Sequence, residues 1–374
     1  MAGSRTLLTY HDLKVEVETT PGEELVNHMH STIMGQPGGL RYRHTNLENR
    51  IYSPGENYFI YLRKNEKMLG SVGFCGKAAE TNGFTHDAWL IRYFSIKAPM
   101  KRDPKNRKEA SGPKEMKRSS VLRRLIRPVF ENPSQLRGDA KKSEPAIIYG
   151  IIEQKNLRSM NFSDQMGFET IGTLASFTFS RMQPRKSGRM EHLPGNEQDS
   201  MLKLLKGFYS NYTLFSPNPL FKENDYYVIR ESGRVVAGIQ IYHLTWRIVD
   251  FGSKLTNRIV SFLAWVPWVK KRINPDEVRL LALDGIYFEK GHESDLYELM
   301  EGVLEKTGTY VSMVMVDKVS ELYGLFKSKQ KLGILHKILG TFFADIRVRF
   351  IHIPSEIRQY FIDHPTYIPT YDNS

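Results

Sequence analysis

The stretch AIIYGIIEQKNLRSMNFSDQMGFETIGTLASFTFSRM, residues 146–182, leaves few choices of local structure. Ala146 to Ile152 is an apolar run with the length and flanks of a buried strand. Asn156 stands where that strand hands over to a helix, and Gly167 sits where a helix end needs a left-handed residue. Phe168 to Arg181 then returns as a second strand. Strand, helix and strand in this order call for an α/β protein with helices covering a sheet.

The same residues resemble the closing motif of the GNAT superfamily of acyl-CoA-dependent N-acyltransferases, carried here by Asn156, Ser159, Phe162, Gly167 and Phe168. Upstream, NYFIYLRKNEKMLGSVGFCG (57–76) is similar to the family's second and third strands, and DAWLIRYFSIKAP (87–99) to its fourth. The resemblance covers residues 10–182 in the right order. It implies an acyl-CoA co-substrate, acetyl-CoA above all, and transfer of its acyl group to an amine on a small molecule or a protein.

The charge points the same way without deciding the matter. The chain of 374 residues carries a net charge of +12, and the segment from Lys97 to Arg127 holds twelve Lys and Arg against three Asp and Glu. Three readings fit that segment: a solvated loop, a phosphate site, or a surface for nucleic acid or an acidic protein. Met100 to Ile126 contains no Phe, Tyr or Trp on which a base would stack. The single cysteine, Cys75, lies in an apolar strand and reads as a small buried hydrophobe. No apolar run reaches the length of a membrane span, the longest being Ile259 to Val269, and the opening residues lack a signal-peptide core. The expected location is cytoplasmic.

The pattern then repeats. Asn57, Phe59, Arg63, Lys67 and Leu69 match Asn224, Tyr226, Arg230, Arg234 and Val236 at an offset of 167, and residues 146–153 match 310–317 at an offset of 164. The expected fold class is therefore α/β, two tandem GNAT-like domains, each a mixed, mostly antiparallel sheet flanked by helices. Residues 1–182 form the first, 183–198 a polar linker with two Pro and two Gly, and 199–374 a degenerate second. Helices are predicted over Glu23–Ile33, Glu197–Tyr209 and Ser294–Glu305, and a final strand over Ile346–Ile353.

The resemblance implies a CoA site between splayed fourth and fifth strands. Its residues here are Ile96 and Lys97 at the end of the fourth strand, Lys117, Arg118, Ser119 and Ser120 at the start of a helix over Ser119–Phe130, and Asn156. A helix N-terminus offers unpaired amides and a favourable dipole to a pyrophosphate. Lys117 stands where the family carries a glycine, which shifts the load to cationic and hydroxyl contacts. Asn156 also reads as an ordinary helix N-cap. The family's acid is a Tyr at the position of Ser163, so no catalytic acid is assigned; Glu153 is a candidate base but reads first as a surface or loop-anchoring carboxylate. Ser163 and the degraded phosphate loop leave a non-catalytic GNAT-like binding or scaffolding protein as the alternative to an N-acyltransferase. No metal site is expected. In the second half Ser320 matches Asn156, the loop EKGHE (289–293) repels phosphate, and Asp284 and Tyr287 read as strand residues or as lining of a shared cleft. The insertion 258–272, with Trp265 and Trp268 before Lys270, Lys271 and Arg272, reads as a buried contact, a lid or a membrane-surface element.

Overall fold

The structure, a computed structural model, describes residues 4–52, 55–96, 125–138, 144–216, 220–221, 225–252, 258, 272, 274–328 and 331–373. A hairpin that the sequence reading missed comes first: β1 (Arg5–Tyr10) and β2 (Leu13–Glu18), turning at His11 with φ +53°. In β2 the alternation LKVEVE buries Val15 and Val17 on one face, as a half-covered strand requires. The helix Glu23–Ser31 follows, two residues shorter than predicted, then β3 (Leu40–His44) and a meander of β4 (Glu56–Lys64), β5 (Lys67–Thr81) and β6 (Phe84–Ile96). Asn82 and Gly83 both have positive φ between the paired Thr81 and Phe84, the turn that Asn-Gly favours.

The 146–182 segment folds as read. β7 (Ala146–Glu153) leads to the helix Leu157–Gln165, Gly167 takes φ +77°, and β8 (Glu169–Ser180) returns. The expected linker contributes structure of its own. Residues 190–192 form β9 (Met190–His192), the edge strand beside β10 (Tyr226–Glu231). The helix Gln198–Phe208 lies within the predicted span. β11 (Arg234–Phe251) and β12 (Val278–Phe288) precede the helix Glu293–Thr307, whose Leu296, Leu299, Met300 and Val303 are wholly buried and whose end is closed by Gly308 at φ +65°. β13 (Val311–Asp317) and β14 (Phe342–Ile351) complete the strands, β14 beginning four residues before the predicted Ile346.

The hairpins β4–β5 and β10–β11 share more than sequence. Leu62 pairs with Gly70 and Ile229 with Ala237, both shifted by 167, and each hairpin slips register at the next residue, Arg63 or Arg230. A bulge at matching positions bends the two hairpins alike.

Where the sequence suggests a sheet for each half, the described strands form a single 14-stranded sheet in the order β1-β2-β4-β5-β6-β7-β14-β8-β13-β12-β11-β10-β9, with β3 added beside β11. The halves exchange strands. β14 enters between β7 and β8 and pairs with both, β8 pairs with β13, and β3 pairs with the distal part of β11 through His44 and Trp246. Among the described strands only two pairs are parallel, β6 with β7 and β12 with β13, and both are short. The first holds from Asp87–Ala146 to Leu90–Tyr149 and the second only at Leu281–Ser312 and Ala282–Met313, although β6 and β12 continue well beyond. Each pair therefore opens like a wedge toward its carboxyl ends.

Candidate functional site

The wedge between β6 and β7 opens into a cavity of about 420 Å³, within the range of small-molecule sites. Ile91 to Ser95 form one side, Gly150 to Glu153 the other, and Asn156, Ser159 and Phe162 close the far end. Apolar side chains from both halves complete the wall, including Met29, Leu47, Trp246, Met313 and Phe343. A bulge shapes the β6 side: Arg92 pairs with Gly73 and Ser95 with Ser71, so Tyr93 and Phe94 stand opposite one residue. Tyr93 takes φ +53°, rare for a bulky side chain, and a bulge of this kind frees backbone groups from the ladder and re-aims side chains. The Tyr93 ring stacks on Phe59, and Phe94 stacks on Phe162 across the wedge at 5.2 Å. Gly73 makes room for the bulge, since a Cβ there would lie 3.1 Å from the Tyr93 ring and 3.3 Å from the Arg92 carbonyl oxygen.

A polar cluster sits at the base. Arg92 Nη1 donates to Asp372 Oδ1 at 3.5 Å, and Arg50, 5% exposed, donates through Nη1 to the Tyr371 carbonyl at 3.2 Å. Arg50 Nη2 approaches the His44 ring at 3.2 Å. Burial, then the charges of Arg50 and Arg92, hold His44 well below its usual pKa, so its imidazole is neutral at pH 7. Burial pushes Tyr42, stacked on Trp246 at 4.0 Å, up to about 12. Glu153 is held above the usual carboxylate value, again by burial, against a lowering hydrogen bond with the Gln36 backbone. The cavity thus combines a long apolar wall, a carboxylate biased toward accepting a proton, and two buried guanidinium groups.

The residues expected from sequence divide in two. Asn156 lines the cavity and caps the helix Leu157–Gln165, its Oδ1 accepting from Ser159 N at 3.1 Å. Ile96 ends β6, while Lys97, Lys117, Arg118, Ser119 and Ser120 lie outside the described residues, as does most of 258–272. Of the predicted helix over 119–130, residues 125–130 are described and are helical. Ser163 turns inward and donates to the Met160 carbonyl at 2.8 Å. Asp87 pairs with Arg137 and is not part of the cavity wall. Cys75 packs against the core with its thiol pushed up by burial. Among the described residues, no three His, Cys, Asp or Glu side chains come together to hold a metal. None of their helices is long and apolar enough to cross a membrane.

Sequence reasoning missed Arg50, Arg92 and Asp372. Arg92 had a signal, a lone cation inside the apolar run AWLIRYFSI. Arg50 and Asp372 join it from 42 and 280 residues away in sequence (92 minus 50, 372 minus 92), with nothing local to announce them.

The second wedge is closed. Between β12 and β13 only about 20 Å³ remains, room for about one water. Asp284 and Asp317 line it, with Tyr367 and Ile368 from the segment beyond the helix Ser355–Asp363. Tyr287 packs into the core of the second half instead of facing a cleft. Ser320 mirrors Asn156 as a cap, accepting from Tyr323 N at 3.2 Å. At the start of the helix Glu293–Thr307 the Glu293 carboxylate accepts from Gly291 N at 3.1 Å, so a side chain already uses a loop amide that a phosphate would need.

No family model matches the chain. In sequence it is 26% identical over 149 residues to the Fanconi-associated nuclease 1 homolog of Dictyostelium discoideum, a match that takes in 36% of this chain and 13% of that protein. In structure it is similar to Saccharomyces cerevisiae N-myristoyltransferase with bound myristoyl-CoA, at a TM-score of 0.56 and 10% identity, over 93% of this chain and 85% of the other. A second structure of the yeast enzyme with myristoyl-CoA gives 0.55 and 12% identity, over 93% and 81%. At such identity the likeness shows a shared fold.

Proposed function

We propose that this protein is an acyl-CoA-dependent N-acyltransferase that holds its donor in the wedge between β6 and β7. The observation that carries the reading is the contrast between the two wedges, one opening into about 420 Å³ and the other filled. Support comes from the fold shared with an enzyme whose structures contain myristoyl-CoA. The two halves are a duplicated GNAT-like pair, 1–182 and 199–374 joined by 183–198, of which the second has given up its ligand site. Acetyl-CoA is the donor expected from the sequence, and the apolar wall accommodates longer chains.

In this reading the donor's pantetheine arm lies along the backbone at the end of β6, by Ile96 and Lys97. Lys117, Arg118, Ser119 and Ser120 hold its phosphates, and Asn156 meets a pantetheine amide while still capping its helix. The amine attacks the thioester carbonyl; the C–N bond forms, the C–S bond breaks with CoA leaving as its thiolate, and the nitrogen's proton passes to Glu153. The acceptor is an amine of a small molecule or a protein. The full chain titrated calorimetrically with acetyl-, octanoyl- and myristoyl-CoA should show saturable binding and a matching rise in melting temperature. No heat and no shift with any of the three at about 1 mM would remove the reading.

A second reading, association with nucleic acid, draws on the +9 excess of the 97–127 segment (twelve minus three) and on the partial match to a nuclease homolog. It requires affinity for DNA or RNA at about 150 mM salt, falling steeply as salt rises.

A further inference from the structure

In the second wedge, protein stands where the first has a cavity. Thr366 forms a parallel bridge with Thr213, the Thr366 amide donates to Asp317 Oδ2 at 3.0 Å, and the Gly285 amide donates to Tyr367 Oη at 3.1 Å. The chain then turns into the short helix Thr370–Asn373, and both carboxylate oxygens of Asp284 are used to hold it. Oδ1 accepts from Thr370 N at 2.5 Å and Oδ2 from Tyr371 N at 3.0 Å. Asp284 is 4% exposed, and a carboxylate so buried persists only with strong donors on it. An Asn in its place accepts with one oxygen and sets an NH₂ against the other amide. Those two amides lead straight to the large cavity. Tyr371 presents its carbonyl to Arg50 and stacks on Tyr242 at 4.3 Å, and Asp372, the next residue, lies in the cavity wall against Arg92.

We propose that Asp284 is a positioning residue for the β6–β7 cavity: through the amides of Thr370 and Tyr371 it fixes Asp372 against Arg92, and the closed wedge serves as a clamp on the wall of the open one. The clamp explains why a carboxylate with two accepting oxygens stands on a buried strand of a wedge that protein fills. It rests on the proposed acyl transfer in the first wedge. Asp284 acts at a distance, since the carboxylate lines the second wedge alone.

The test uses the full chain with Asp284→Asn, Asp372→Asn and the double variant, reading hydrogen–deuterium exchange, acetyl-CoA affinity, and CoA release from acetyl-CoA with hydroxylamine as the amine. The clamp predicts exchange across 366–372 faster in Asp284→Asn by on the order of tenfold to a hundredfold, with the rest of the sheet unchanged. It predicts acetyl-CoA affinity within about twofold of the parent, a lower kcat, and a double variant no slower than Asp372→Asn alone. Unchanged exchange in a folded Asp284→Asn overturns it. So does protection lost over the whole sheet, with affinity and kcat falling together and the two substitutions additive. If Asp284→Asn does not fold, Thr370→Pro, at a first helical position that tolerates proline, removes the amide donor to Asp284 together with the hydroxyl's bonds to the Leu283 carbonyl and the Met315 amide, and must loosen 366–372 beyond what Thr370→Val, which loses the hydroxyl alone, produces. Absence of acetyl-CoA binding by the parent chain would sink the acyltransferase reading, while the exchange measurement still decides whether the clamp exists.

Discussion

Two carboxylates illustrate how burial sets the work a residue can do. Glu153 is held above its usual pKa and faces the cavity, so a base at this position is active once deprotonated and loses activity as the pH falls through its raised value. Glu153→Gln is expected to lower kcat for CoA release by about 10² or more and to erase the acidic limb of the pH–rate profile, with acetyl-CoA affinity retained. Asp284 is pushed up to about 7 by burial, against the lowering effect of the Tyr371 and Thr370 amides. Its folded-state pKa lies above the unfolded value of 3.8, so its contribution to stability is complete below that value and is lost as the pH rises toward 7. Melting temperatures at pH 5 and pH 8 should differ less in Asp284→Asn than in the parent. Asn156→Ala should cost about 1 kcal/mol through the lost cap, read by urea denaturation, and Asn156→Ser should recover most of it because Ser320 already caps the matching helix. If Asn156 also meets the donor, the Ser variant binds acetyl-CoA several-fold more weakly while its stability is restored.

At the scale of elements, the sequence was most legible where periodicity and turn chemistry agree. The 146–182 unit and the helix Glu293–Thr307 are written locally, in runs of one period closed by glycines with positive φ. The β1–β2 hairpin escaped because RTLLTY and LKVEVE are short and polar, joined by a His-Asp turn that lacks glycine. The cavity lies where the resemblance implies splayed fourth and fifth strands, but most of its lining escaped for a different reason: a wedge arises where pairing stops, and no residue pattern records the absence of a hydrogen bond between strands. The β6 bulge is the element on which the site depends, and Gly73 is its weak point. Gly73→Ala should destabilise by about 1–3 kcal/mol and weaken acetyl-CoA binding, because the Arg92 carbonyl 3.3 Å from the added methyl is backbone and cannot swing aside. Gly207→Ala supplies the control. Nothing lies within 4 Å of a Cβ there, so the helix Gln198–Phe208 should gain up to about 1 kcal/mol with ligand affinity untouched.

For the whole molecule, the exchanged strands matter more than the repeat that the sequence discloses. A fragment of residues 1–182 carries β7 and β8 but not β14, which pairs with β7 from Ala344–Glu153 to Ile351–Ala146 and with β8 from Phe342–Ser176 to Val348–Glu169. That fragment is expected to show no cooperative unfolding transition by circular dichroism, whereas the full chain should melt as one unit. A fragment that melts cooperatively would show that the first half holds together without β14. The same arrangement imposes a schedule on synthesis. β14 begins 189 residues after β7 ends (342 minus 153), so on the ribosome the apolar edges of β7 and β8 wait through the making of the entire second half before their partner arrives. At roughly 5–20 residues per second that wait lasts on the order of ten seconds or more, with two unpaired strand edges open to other chains. The nascent protein is therefore a natural client for chaperones, and destabilising the second half should deplete the folded first half in cells as severely as damage to the cavity itself.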